Sequence, residues 1–419
     1  MTPSPRTAGL ARNVTLYPWF RFFQNLLFWQ AIWFLYFQNR LSAADAIVLY
    51  AVYDIATTVL EVPSGYMSDR LGRRITLITA ALAGALGMAL LAVGDSFAMF
   101  ALGQVLMGAS AAFASGTDSA LLYESLAATS REDEIEAQEL RAWRFAFVGL
   151  ALSAVTGGAM ALWAAALPFY VAALSLTVSL ILALRFIEPE EVTSPIPQGA
   201  ELVRLGSLRS ALTEPVLIWL FVLTVLMYGF SHLPFVFGQP FIAEALSTAG
   251  FSAETPLVSG AVTTLMMILS LAASLIAPRL RQRMGLGAVL LAAFGMQIAL
   301  VAMLALTNSA IAIAFLFFRM VPNSLSRPFI LARLQPMLKN DSRATYLSLQ
   351  SLCGRLAFAG SLLLASRVTS TEEQMAYADI RQILTWYVVV GLIALSALAL
   401  AMRRIQLDPA GRNTAPLSE

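Results

Sequence analysis

Apolar residues recur along this chain in runs of about twenty, the length at which an α-helix crosses the hydrocarbon core of a bilayer. Twelve such windows fall at roughly 17–38, 44–66, 75–94, 97–124, 141–162, 165–186, 214–238, 255–278, 285–306, 309–332, 345–366 and 379–403. The short hydrophilic turns Gly94-Asp95-Ser96 and Thr307-Asn308-Ser309 each join two of these windows and suit antiparallel neighbours. The pattern predicts an all-α integral membrane protein of twelve transmembrane helices. One polar interruption is long: residues 187–213 open with Glu188-Pro189-Glu190-Glu191, pass Pro195 and Pro197, and end in a mildly amphipathic stretch around Leu202 to Leu212. It divides the chain into an N-terminal six-helix bundle (1–186), a cytoplasmic linker (187–213) and a C-terminal six-helix bundle (214–404). The polar tail, 405–419, contains Pro409 and Pro416 and reads as disordered.

The basic residues orient this plan. With the N-terminus inside, the external loops hold only Arg40, Arg367 and Arg381. The cytoplasmic segments hold Arg70, Arg73, Arg74, Arg279, Arg281, Arg283 and most of the other arginines, as positive-inside sorting requires. Both termini are therefore expected in the cytoplasm. The first apolar run contains Arg21, Gln24 and Asn25 and no small-residue cleavage site, so it reads as a span and not as a cleaved leader. Residues 129–136 start like a solvated cytoplasmic helix, with Ser130 followed by Asp133 as its capping residues.

Composition narrows the function. The 419 residues are 58% hydrophobic and only 12% charged, with mean hydropathy +0.73, against roughly twice that charged fraction in a soluble protein. A net charge of +2 gives no basis for nucleic-acid binding. Lys339 is the only lysine and follows no glycine-rich loop, which excludes a Walker A ATPase. His232 and Cys353 are each the only residue of their kind, which excludes a paired-histidine zinc helix, an internal disulfide and a Cys-x-x-Cys site. No enzyme motif, metal site or cofactor is implied.

Ionisable groups at membrane depth cost at least about 2.5–3.5 kcal/mol each on insertion scales, so each needs a reason. The N-terminal half carries acids: Asp54 and Glu61 lie two turns apart on one face of the second span, with Tyr50 and Thr57 on the same stripe. Asp118 lies in the fourth span, six residues before Glu124. The C-terminal half carries bases: Arg319 and Arg327 in the tenth span and Arg355 in the eleventh. Pro322 and Asn323 predict a break in the tenth span that frees backbone groups toward a cavity. Tyr228, His232 and Gln239 add polar groups to the seventh span, and Arg21 stands near the inner end of the first. These charges serve either as latches between the halves or as a transport site. Asp54 and Asp118, with Glu61 nearer the rim, are the proton-coupling candidates; Tyr50, Gln104, Tyr228, His232, Arg319, Asn323 and Arg355 are the substrate-cavity candidates.

A loose repeat links the halves: the turn after the second span reads Asp69-Arg70-Leu71-Gly72-Arg73-Arg74, and that after the eighth reads Gln282-Arg283-Met284-Gly285. Six-span halves related in this way mark secondary transporters. The run Gly65-Tyr66-Met67-Ser68-Asp69-Arg70-Leu71-Gly72-Arg73-Arg74 resembles the signature turn of the major facilitator superfamily. Glu61-Val62-Pro63-Ser64-Gly65, Ser115-Gly116 and Ala120-Leu121-Leu122-Tyr123-Glu124 resemble a bacterial, efflux-type branch of it. The resemblance implies that Asp69, Arg73 and Glu124 form a cytoplasmic gate, with Gly65, Arg70, Gly72 and Arg74 in the same motif. Two departures stand out. The family's arginine early in the fourth helix is replaced by Gln104 or Leu106, and the antiporter glycine-proline motif is reduced to Gly149 through Gly158 without proline.

The reading that follows is a secondary active transporter of the bacterial cytoplasmic membrane, a monomer that moves a small organic solute by alternating access, coupled to protons, with export favoured. Proton symport of an anionic or zwitterionic solute or iron-chelator is the alternative within transport. A lipid flippase or a non-transporting membrane sensor is the alternative of another class.

Overall fold

The computed structural model describes residues 5–189, 213–251, 254–334, 337–338, 340–369 and 375–407. Among these residues the regular structure is helical throughout. The α-helices are α1 (Pro5–Gln24), α2 (Trp33–Gln38), α3 (Ala43–Leu71), α4 (Arg73–Val93), α5 (Phe97–Ala114), α6 (Thr117–Ala127), α7 (Ile135–Trp163) and α8 (Leu167–Arg185). After the linker come α9 (Pro215–Val236), α10 (Gly238–Thr248), α11 (Thr255–Met284), α12 (Leu286–Leu306), α13 (Val321–Leu334), α14 (Asn340–Val368) and α15 (Tyr377–Met402). Among the described residues, ten helical stretches are long and apolar enough to cross a membrane. The two remaining windows, 17–38 and 309–332, are where the helix is broken. α1 stops at Gln24, and a 3₁₀ turn (Phe28–Ala31) precedes the short α2. Similarly, a 3₁₀ segment (Ala310–Phe318) and a turn at Arg319-Met320 precede α13. Pro322 does not break this passage itself. It sits in the first turn of α13, where its missing N–H would have had no intrahelical acceptor.

The helices fall into two compact units. The first holds the described residues up to 189 together with 254–264 and 362–369; the second holds the rest. In the first unit α4 packs along α5 and α8, α3 along α5, and α1 along α7. Tyr36 and Phe37 of α2 stack with Phe100 and Phe169 to seal one end. Glycines at α7 allow backbone to approach backbone: a Cβ on Gly157 would collide with the Phe28 carbonyl, and one on Gly158 with that of Pro256. In the second unit α12 packs along α15 and α13, with Trp219 of α9 donating to the Leu398 carbonyl at 3.0 Å.

The loose repeat has a backbone counterpart. Gly72, between α3 and α4, has φ 97° and ψ 158°; Gly285, between α11 and α12, has φ 81° and ψ 162°. Both conformations belong almost exclusively to glycine, so the two turns share a geometry as well as a position.

The helix expected near 129–136 differs from its reading. Ser130 takes φ 54° and stands one residue before the 3₁₀ turn's N-cap, Arg131; that turn (Glu132–Glu134) runs straight into α7. Arg131 clamps Glu134 with two 2.6 Å hydrogen bonds, and these hold the exposed Glu134 carboxyl below its ordinary pKa. Linker residues 190–212, Lys339 and tail residues 408–419 lie outside the described set.

Candidate functional site

The signature turn is built on Gly72. Its positive φ lets α3 end and α4 begin within one residue, which brings Arg73 and Arg74 to the first turn of α4. Arg73 reaches Glu124 of α6, with Nη2 and Nε at 3.0 and 3.1 Å from Oε1, and donates to the Ser68 hydroxyl at 2.6 Å. The pairing of Arg73 with Glu124 is thus present. Arg70 points outward over the Tyr66 ring at 5.6 Å, and Gly65 is exposed with open space beside it. The side chain of Asp69 lies outside the described set.

Glu188 is a residue of this turn that sequence reasoning missed. Its carboxylate accepts from the Arg73 and Arg74 N–H groups at 2.6 and 2.8 Å, and it occupies the space a Cβ on Gly72 would need. An anion at a helix N-terminus meets unpaired N–H groups and the positive end of the helix dipole. The Arg74 guanidinium donates to the Leu184 carbonyl at 2.9 Å, and the Asn13 side chain bonds both the N–H and the C=O of Ile187. The end of α8 and the first residues of the linker are thereby strapped to α1 and α4. The sequence signal was a carboxylate immediately after the sixth apolar run, but its target lies over a hundred residues away.

The acids of the first unit separate into two levels. Asp54 is 1% exposed near the middle of α3, with Thr57 and Thr58 buried beside it. Tyr50, one turn away, packs on Trp33 at 5.2 Å. Glu61 is half-buried two turns along. Asp118 is buried in the first turn of α6, directly after Ser115 and Gly116 interrupt the fourth span with a left-handed residue (φ 75°). It forms an ion pair with Arg21 of α1 and accepts from the Ser119 N–H at 2.8 Å, while the Arg21 guanidinium lies over Trp143. The neighbouring Thr117 donates to Ser68, fourteen residues along α3 from Asp54, or about 21 Å at 1.5 Å per residue. Asp118 therefore belongs to the level of the signature turn, whereas Asp54 lies mid-span. The two stand at different levels of the first unit. Gln104 is buried on α5.

In the second unit, Tyr228, His232 and Phe235 follow one another at i, i+4 and i+7 on α9, and so share a helical stripe. The Arg355 guanidinium sits over Tyr228 at 5.8 Å, and the Arg319 guanidinium sits over Phe235 at 5.1 Å. His232 stacks on Tyr228 at 4.2 Å and touches Phe358. Its Nδ1 lies 2.7 Å from the Tyr228 carbonyl oxygen. A carbonyl only accepts, so Nδ1 carries the ring proton and Nε2 of the neutral ring is an acceptor. Asn323 has a structural bond: its Oδ1 accepts from Gln297 of α12 at 3.2 Å. Arg327 is exposed and Gln239 is buried on α10.

The sequence profile of the Major Facilitator Superfamily matches residues 16–362, most of the chain. The chain belongs to that superfamily. Solved transporters share its fold. The nucleoside transporter NupG superposes with TM-score 0.74 at 11% identity, covering 93% of this chain and 99% of its own. The POT family transporter PepTSo gives 0.72 at 14%, covering 94% and 98%. A bacterial homolog of the human lysosomal transporter Spinster, in an inward-facing and unoccupied conformation, gives 0.68 at 16%, covering 96% and 98%. No curated protein sequence matches. The superfamily member described here is thus a multi-pass membrane protein and a transporter, not an enzyme.

Proposed function

We propose that this superfamily member is a proton-coupled secondary transporter that moves a small organic solute by alternating access across the bacterial cytoplasmic membrane, with both termini inside. Export is the favoured direction, on the resemblance of the Glu61–Gly65 and Ala120–Glu124 phrases. The observation that carries the coupling is Asp54, a fully buried carboxylate in the middle of α3. A carboxylate can carry a proton when its surroundings alternate between dry, which favours the neutral form, and wet or cationic, which favours the charged one. Each proton crossing 100 mV supplies about 2.3 kcal/mol.

The Asp118–Arg21 pair supports a different role. It sits with the half-buried Arg73–Glu124 pair at one level of the first unit, and removing one partner of a buried pair is strongly destabilising because the other charge is left uncompensated. We assign it to the gate at that end. Purified protein in liposomes, given a pH jump and labelled organic acids, amines and chelators, tests the reading. Asp54→Asn should lose pH-driven flux and keep solute exchange, while Asp118→Asn should slow both. Normal pH-driven flux in Asp54→Asn would make Asp54 a structural acid.

A further inference from the structure

α7 carries two arginines on a face that the rest of the protein leaves uncovered. Arg141, Arg144, Val148, Leu152 and Val155 share one side of the helix, and all five are exposed. The buried side is made instead by Ala142, Ala146, Gly149 and Ser153. The connection from α6 to α7 stands at the signature-turn end of the first unit, since Arg73 reaches Glu124 in the last turn of α6. The apolar span of α7 begins there, at Arg141, and Arg144 is its fourth residue. From Arg144 to Val155 is eleven residues, about 16 Å, or half of a hydrocarbon core about 30 Å thick. The exposed stripe is thus the length of one leaflet.

The two charges are not matched within the helix. Arg141 and Arg144 are like-charged neighbours at i and i+3, and no acidic residue stands three or four positions from either. Glu139 is turned to another side of α7, 3.5 Å from the Tyr17 hydroxyl. Among the described residues Arg144 has no hydrogen-bond or ion-pair partner. The Arg141 guanidinium lies 5.9 Å from the centre of the Phe145 ring, which Trp19 of α1 meets edge-on at 4.9 Å. Trp19 is itself 46% exposed. An arginine that faces hydrocarbon lays its stem along the helix and carries its charge to the headgroups, and tryptophan prefers the same level.

We infer that this face of α7, with Trp19 beside it, is a binding site for an acidic glycerophospholipid. The phosphodiester meets the guanidinium forks of Arg141 and Arg144, which suit phosphate oxygens. The Trp19 indole lies at headgroup level, and one acyl chain covers Val148, Leu152 and Val155. Zwitterionic headgroups fit less well, because their ammonium brings like charge to both arginines. The site requires only that α7 spans the bilayer, and no particular coupling or direction of transport.

Native mass spectrometry of the purified full-length protein in detergent tests it, with equal amounts of dioleoyl-phosphatidylglycerol and dioleoyl-phosphatidylcholine. The chains are identical, so only the headgroup discriminates. The phosphatidylglycerol complex should dominate by about 25-fold, because each arginine near a headgroup contributes about a factor of five. Arg141→Gln and Arg144→Gln should each lower that preference about fivefold, and the double variant should bring it near parity. Arg144→Lys, which keeps the charge, should retain most of it. Arg404→Gln removes the same charge from the exposed end beyond α15 and should change nothing. Thermal denaturation identifies a variant that has lost its fold, and the lysine variant and the other single glutamine variant then decide. Equal binding of the two lipids, an unchanged preference in a folded Arg144→Gln, or an equal loss in Arg404→Gln overturns the site. A protein dimer that forms without any phosphatidylglycerol preference overturns it too, and would give this face to a second copy of the chain.

Discussion

Gly72, with φ 97° and ψ 158°, occupies a region open almost only to glycine, and its missing Cβ is the space in which the Glu188 carboxylate sits. Gly72→Ala should therefore cost about 1–3 kcal/mol from the backbone alone. Glu188→Ala should cost about 0.5–2 kcal/mol, as loss of a helix cap does. The two losses should not add, because an alanine methyl in place of Gly72 already displaces the carboxylate. Thermal melts of the two single variants and the double variant check this; strictly additive losses would contradict the shared space. Arg73–Glu124 was legible at this scale because both residues fall in recognisable phrases. Glu188 was not, since its partners are two backbone N–H groups that no side-chain pattern announces. Arg21 was visible as a misplaced charge, but its pairing with Asp118 depends on how α1 lies beside α6.

At the scale of elements, hydropathy marks where helices run and is blind to where they break. A window of twenty residues averages across short interruptions of any composition. Here it passed over Asn25-Leu26-Leu27, Ser115-Gly116 and Arg319-Met320, none of which lowers the average enough to show. These breaks matter, because Asp118 stands two residues after one of them and Arg319 lies in another. The glycines of α7 have an equally local logic. The lost glycine-proline motif leaves Gly157 facing the Phe28 carbonyl so closely that no side chain fits, whereas Gly65 on α3 has nothing within 4 Å. Gly157→Val should destabilise by about 1–3 kcal/mol through overpacking. Gly65→Ala should be neutral or up to about 1 kcal/mol stabilising, as a better helix former in open space. Denaturation of both variants compares them directly; a tolerated Gly157→Val would mean that α7 does not pack against the Phe28 turn as described.

At the scale of the whole molecule, the span arithmetic and the family were legible because a bilayer admits few solutions: backbone groups must be satisfied within helices, and helices must be about twenty apolar residues long. The site was legible only as an inventory of charges. Which of them share a level could not be read from spacing within single helices, and that is what separates Asp54 from Asp118 and groups Arg319, Arg355 and His232 along one stripe. The central claim is that this inventory serves a carrier whose interior opens to each side in turn. Tyr228→Cys in a Cys353→Ser background tests it most directly, with a membrane-impermeant maleimide applied to right-side-out and to inside-out vesicles. The account predicts labelling from both sides, with ligand that protects against one protecting against the other. Labelling from one side alone, with or without ligand, would contradict it.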